Sequence, residues 1–257
     1  MKEPENKVKS GKYIEIIDLI DTKYKRTFLD EKMDRTGAIG GLLKNQPIIC
    51  GGYSSSGGGK VFEHECILLG KSKKYELSRL IMGVSSVVMN QTRLWMIGGC
   101  EEKDERSSEF ISLDQPPTKG PELPISLSQN PMLEMDSGIV YIIGGYQPMI
   151  SNQTWIVDPG KNFEMTTGPS LNMARIEHCV AKMEIGGKVF IVVAGGQCDP
   201  SDIPSDDDDE FFFDPDYCDY AAEDFPDPGL TSVELLDTSS PNQAWTYGKS
   251  DHLKLGI

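Results

Sequence analysis

Three histidines are the side chains of this 257-residue chain best suited to acid–base or metal chemistry. His64, His178 and His252 lie far apart, and none belongs to a paired-ligand motif such as HExxH. His178 follows Arg175 by three residues in a strand-like segment, where a buried structural histidine is the more frequent outcome. The sequence therefore predicts a non-enzyme, with no catalytic residue, no metal site and no cofactor.

A second set of candidate functional residues consists of arginines, each of which precedes a pair of adjacent glycines in the chain. A guanidinium fork can bind a carboxylate with two hydrogen bonds, which suits recognition of an acidic or polar peptide. The alternative is that each arginine braces a neighbouring loop. The predicted partner-binding residues are Arg35, Arg79 and Arg175, with Ser128 at the corresponding place in a further repeat.

Nearly all of the net charge of −15 lies in one segment. Thirteen acidic residues and no basic residue occur between Asp199 and Asp227, together with several aromatic rings. This composition is typical of a mobile solvated loop, and the several aromatic rings give docking to a basic partner as the alternative. An acidic chain is poorly suited to a phosphate backbone, which excludes nucleic acid. The densest part of the predicted docking loop is Asp206, Asp207, Asp208, Asp209 and Glu210.

Cysteines, sequons and the N-terminus bear on the cellular compartment. The six cysteines include no CxxC pair and are interpreted mostly as small buried thiols; a Cys198–Cys218 disulfide is expected only in an exported chain. Sequons at Asn90 and Asn152 matter only in a secreted chain. The N-terminal residues are polar, and no apolar run can span a bilayer. The sequence predicts a cytoplasmic or nuclear chain without membrane association.

The elements that must position these residues recur with a period of about 50 residues. A short apolar run ending in two glycines occurs four times, as PIICGG, RLWMIGG, IVYIIGG and VFIVVAGG. Each run has the composition of a buried strand, follows a turn sequence and an earlier strand-like segment, and is followed by further strand-like segments. The repeat glycines are Gly51, Gly52, Gly98, Gly99, Gly144, Gly145, Gly195 and Gly196.

Four strands per unit without helical periodicity describe a β-propeller blade. The glycine pairs, the third strand TSVELLD and the links KGPELP and TGPSLNMAR resemble Kelch repeats. The resemblance implies one all-β domain over residues 1–257, with four full four-stranded blades, partial blades at the termini and an acidic insertion at 199–228 in the fourth blade. Since these blades are fewer than a usual propeller ring contains, we expect a fragment of a propeller or an open arc of blades. The unpaired strand edges of such an arc should self-associate.

The resemblance also implies a function. In Kelch adaptors, arginines and small polar residues in the loops before the first strands bind partner peptides, so we expect an interaction module for an unidentified protein. Substrate recognition in a ubiquitin-ligase adaptor is the leading role, and an actin or cytoskeletal scaffold is the near alternative. A copper-radical oxidase similar to galactose oxidase is the alternative from another class. It would need paired histidine ligands, which the sequence does not offer.

Overall fold

The chain is all-β, as predicted. A computed structural model describes residues 13–17, 24–28, 35–56, 59–69, 71, 73–78, 83–99, 106–146, 149–198 and 232–248. Among them, no helix is long and apolar enough to cross a bilayer. The chain divides into two compact units, Met1–Met82 and Gly83–Ile257, which are described separately. The single domain over residues 1–257 stays a prediction.

The described residues of the first unit form one four-stranded antiparallel sheet and two hairpins. In the sheet, the strands lie in the order β3 (Ile39–Leu43), β4 (Gln46–Cys50), β7 (Glu65–Leu68) and β8 (Lys74–Glu76). A separate hairpin follows the glycine pair of β4, and the other precedes the sheet in the chain. The strands of the two hairpins are β1 (Tyr13–Ile17), β2 (Tyr24–Phe28), β5 (Tyr53–Ser56) and β6 (Gly59–Phe62).

The second unit contains three four-stranded antiparallel sheets, each with its strands in chain order. The second sheet has β9 (Ser85–Met89), β10 (Arg93–Ile97), β11 (Ser108–Ser112) and β12 (Thr118–Lys119). The third has β13 (Met132–Glu134), β14 (Val140–Ile143), β15 (Thr154–Asp158) and β16 (Glu164–Thr167), with a 3-10 turn at Pro159–Lys161. The fourth has β17 (Cys179–Ile185), β18 (Lys188–Ala194), β19 (Val233–Asp237) and β20 (Trp245–Tyr247). Together with the sheet of the first unit, they confirm four four-stranded sheets.

Consecutive sheets of the second unit pack face to face. Alternate side chains of β14 point to opposite faces, as the two-residue period of a strand requires. Val140 and Ile142 pack in one apolar cluster with Trp95 of the second sheet, while Tyr141 and Ile143 pack with residues of the fourth sheet. The first strand β13 contacts both β9 and β17, so the first strands of successive sheets are neighbours. This arrangement is blade-like.

The glycine pairs end the second strand of each sheet in a conformation that favours glycine. The first glycine of each pair has φ between 57° and 69°, and the second has φ between 80° and 114°. At Gly52 an added Cβ would lie 2.7 Å from the Thr36 carbonyl oxygen, so space also excludes a side chain. The second glycine of the third sheet also contacts the segment that leads into the fourth sheet, because Gly145 N donates to Arg175 O at 2.8 Å.

Candidate functional site

Arg175 lies in a buried polar cluster at one end of the fourth sheet. The glycine pair of that sheet lies at the same end. The Arg175 side chain is fully buried. Nη1 donates to Gly195 O at 2.8 Å, and Nη2 donates to Ser232 Oγ at 3.0 Å. Gly195 follows β18 and Ser232 precedes β19, so one guanidinium bridges the two ends of the connection that contains the acidic segment.

Glu234 on β19 is the ionic partner of Arg175. Arg175 Nη2 lies 2.8 Å from Glu234 Oε1, and both side chains are fully buried. Asn172 donates its backbone N–H and its Nδ2 to Glu234 Oε2 at 2.7 and 2.8 Å, and Met173 N donates to Oε1 at 3.2 Å. A buried carboxylate is tolerated only with such compensation. The ion pair therefore fixes the link between the third and fourth sheets.

Arg35 makes the equivalent backbone contacts in the first unit. Its nearly buried side chain donates from Nη1 to Gly51 O at 3.4 Å and to Glu65 O at 3.3 Å, and from Nη2 to Glu65 Oε1 at 3.0 Å. Gly51 and Glu65 flank the connection that contains the β5–β6 hairpin. Arg35 and Arg175 thus both close the base of the loop between the second and third strands.

Glu65 is shared by two cations. Partial burial alone would raise the pKa of its carboxyl, but hydrogen bonds and charges from Lys74 and Arg35 outweigh burial and hold the pKa below its usual value. The Lys74 Nζ to Glu65 Oε1 distance is 2.8 Å. Glu65 is therefore ionised at neutral pH and compensates Arg35 within the sheet.

Ser128 does not occupy the place of the arginines. The residue after each of three glycine pairs forms an isolated β-bridge, and its bridge partners are Thr36, Ser128 and Ile176. The residue before Ser128 is Leu127, which is fully buried in the apolar cluster of the second and third sheets. Leu127 is thus the counterpart of Arg35 and Arg175. Ser128 itself is buried, and its hydroxyl donates to Gly83 O at 3.1 Å.

His178 is a buried, neutral imidazole beside the same cluster. Burial, reinforced by the positive charge of Arg175, lowers its pKa to about 4, and the nearby Ile143 backbone opposes this shift only in part. A Cβ added at Gly144 would lie 2.8 Å from His178 Cε1, so the glycine makes room for the ring. His178 lies two residues after the residue that forms the isolated β-bridge of its repeat. Asn130 and Ala38 hold the same position in two other repeats. His178 therefore contributes to packing between the third and fourth sheets.

Several predicted residues lie outside the described part of the chain: Arg79, His252, and the acidic segment with Asp206, Asp207, Asp208, Asp209 and Glu210. His64 is described and exposed. In the described residues, no group of three or more histidine, cysteine, aspartate or glutamate side chains could hold a metal ion.

The interpretation of the cysteines as thiols is wrong for one pair. Cys50 on β4 and Cys66 on β7 are directly opposed in the antiparallel ladder and form a disulfide. Both residues are fully buried. Sequence reasoning missed the pair because no CxxC spacing marks it; the signal was one cysteine at the end of a second strand and another in the following third strand.

Two exposed apolar side chains lie in the connections that follow glycine pairs. Met149 is 63% exposed between Tyr146 and Ile150, which pair with each other in an isolated bridge. Val61, on the hairpin of the first unit, is 49% exposed. Sequence reasoning named neither residue, although an apolar residue in a polar loop was a usable signal.

Comparison with known proteins assigns no family. No protein-family model matches the chain, and no curated protein matches it significantly. What the geometry shows is that Arg35 and Arg175 are engaged by carboxylates of the chain itself, which favours the bracing alternative over contact with an external peptide.

Proposed function

We propose that the chain is a Kelch-type β-propeller, or part of one, that acts as a protein-interaction module through the loops between second and third strands. The repeated glycine pairs and the face-to-face packing of three sheets in the second unit support a propeller. Arg35 and Arg175 are positioning residues in this proposal, because their hydrogen bonds hold the loop bases. The acidic segment would add charge attraction to a basic partner.

One observation carries the proposal: an exposed apolar side chain beside hydrogen-bonded residues of the connection between β14 and β15. Met149 is largely exposed. Close by, Ser151 N donates to Gly145 O at 2.9 Å and Arg175 N donates to Ser151 O at 3.2 Å. Backbone that is already restrained by such hydrogen bonds loses little further conformational freedom on binding, which favours affinity.

The Cys50–Cys66 disulfide bears on which interaction role is plausible. A ubiquitin-ligase adaptor or a cytoskeletal scaffold works in the reducing cytosol, where protein disulfides are rare. We therefore propose recognition of a protein partner as the function. The adaptor and scaffold roles, and the cytoplasmic location predicted from the sequence, have no structural support.

A comparison of two surface variants tests this function. Affinity purification with quantitative mass spectrometry would compare the parent chain with Met149→Glu and with Tyr247→Glu. Tyr247 is 53% exposed on β20 and serves as the matched apolar control. We expect a specific partner whose recovery falls at least about tenfold with Met149→Glu only, as for an interface hot spot. Identical recovery from all three chains, with unchanged melting temperatures, would contradict the proposal.

A further inference from the structure

The disulfide of the first unit indicates where the chain folds. Cys50 and Cys66 face each other across neighbouring strands and are both inaccessible to solvent. The bond forms by exchange with another disulfide, which accepts the two electrons and two protons of the thiols and is itself reduced to two thiols. Disulfides form and persist in oxidising compartments. In the secretory pathway, such a compartment also contains the machinery that modifies Asn-X-Thr sequons.

Asn90 heads a sequon at the tip of a tight hairpin. Asn90 and Gln91, with φ of 47° and 55°, turn the chain from β9 to β10, and Thr92 follows them. All three residues are exposed. The backbone N–H of Asn90 donates to the Glu134 carboxylate at 2.9 Å. Within the described part of the chain, its side-chain amide makes no hydrogen bond, so Nδ2 is free to carry a large substituent into solvent.

The second sequon lacks these properties. Asn152 Nδ2 donates to Leu171 O at 3.2 Å, on the link to the fourth sheet. Its hydroxyl residue, Thr154, is fully buried in β15. A sugar on Asn152 would displace that link, whereas a sugar on Asn90 would displace nothing.

We propose that Asn90 is an N-glycosylation site of a chain that folds in an oxidising secretory compartment. The co-substrate would be an oligosaccharide activated as a lipid-linked diphosphate. Asn90 Nδ2 attacks the anomeric carbon, the new N–C bond replaces the carbon–oxygen bond to the diphosphate, and the lipid diphosphate leaves. The amide gives up one proton to a base of the transferase. No electrons are transferred in this step.

The position of Asn90 is compatible with partner recognition. The hairpin tip lies at one end of β10, and the Gly98–Gly99 pair lies at the other. Five strand residues separate the two ends by about 16 Å. A glycan on Asn90 would therefore project from the end of the second sheet opposite the Gly98–Gly99 pair.

Mass spectrometry of the secreted chain tests the site. The full chain would be produced with a cleavable leader through a eukaryotic secretory pathway, and its intact mass measured before and after peptide-N-glycosidase treatment. We expect the parent chain to lose one glycan. Asn90→Gln and Thr92→Ala should carry none, while the matched Thr92→Ser keeps the sequon and should keep the glycan. No mass loss in the parent chain, or a glycan retained in Asn90→Gln, would overturn the proposal.

The native protein tests the compartment. Chain isolated from its source with an antibody would be unfolded in denaturant, alkylated without reductant and then treated with the same glycosidase. We expect Cys50 and Cys66 to resist alkylation and the mass to fall on treatment. Alkylated cysteines, or a mass unchanged by the glycosidase, would overturn the proposal. Neither result depends on whether a protein partner is found.

Discussion

Arg175 and Glu234 form an ion pair 2.8 Å long with both side chains fully buried, although 59 residues separate them in the chain. The intervening residues include the whole acidic segment. The pair therefore holds the base of a long connection, and the two residues depend on each other for compensation of charge. This relationship gives the first prediction.

Removing one charge of the pair should destabilise the fold strongly. Glu234→Gln leaves the Arg175 guanidinium buried without a counter-ion, so we expect a loss of about 3 to 5 kcal/mol in the free energy of unfolding, measured with urea. The double variant Arg175→Met with Glu234→Leu should lose less, because no charge is left unpaired. Arg106 and Glu122 supply the control, since both are largely exposed 2.6 Å apart and Arg106→Gln should cost less than about 1 kcal/mol. Equal losses at the buried and exposed pairs would contradict the prediction.

His178 should make stability depend on pH. Its pKa in the folded chain is about 4, below the ordinary value of 6.5, so the unfolded chain binds more protons between these values. The contribution of the neutral His178 to the free energy of unfolding is fully present above pH 6.5. It is lost as the pH falls from 6.5 through about 4, and the total loss is up to about 3 kcal/mol. His178→Asn, which copies Asn130 of the preceding repeat, should flatten this dependence. Urea midpoints measured from pH 7 to pH 4.5 would check it; parallel curves for the two chains would count against the buried histidine as the cause.

Glu177 has φ of 54°, in the left-handed region. Gly37 and Gly83 hold the equivalent place in the first two repeats, with φ of 66° and 62°. We expect Glu177→Gly to stabilise the chain by up to about 1 kcal/mol, because relief of backbone strain outweighs the greater freedom of the unfolded chain. Glu184→Gly, at an exposed position in β17, is the control and should destabilise. Thermal melting followed by circular dichroism would distinguish them, and a loss at both positions would refute the strain argument.

Deletion of residues 202–227 should leave the fold intact. Arg175 holds both Gly195 and Ser232, which the deletion spares, and shortening a surface connection changes its closure entropy little. We expect the melting temperature to change by less than about 3 °C, and the salt dependence of partner binding to flatten because charge attraction is removed. A fall of more than about 5 °C would mean that the segment packs on the sheets, contrary to the docking interpretation.

The strands and the glycine pairs were predictable from the sequence because their causes are local. Alternating burial, strand composition and the φ values that only glycine adopts readily all act over a few residues, so β4, β10, β14 and β18 end where the glycine pairs predict. The all-β class and the four four-stranded sheets follow from four copies of that pattern. The hairpin tip at Asn90 is likewise a property of its own short turn.

Only the tertiary structure decided what the candidate site residues contact. Arg175 looked available to a partner until Glu234, remote in the chain, proved to neutralise it inside the fold. The sequence aligned Ser128 with the arginines, although its neighbour Leu127 is their counterpart, because loop lengths differ between repeats. Only the β-bridge between Ser128 and Tyr146 fixes the correct alignment. The pairing of Cys50 with Cys66 depends on strand register, and the pKa of His178 depends on burial against the neighbouring sheet. Charge compensation, register and desolvation are properties of packed elements, and no short stretch of sequence contains them.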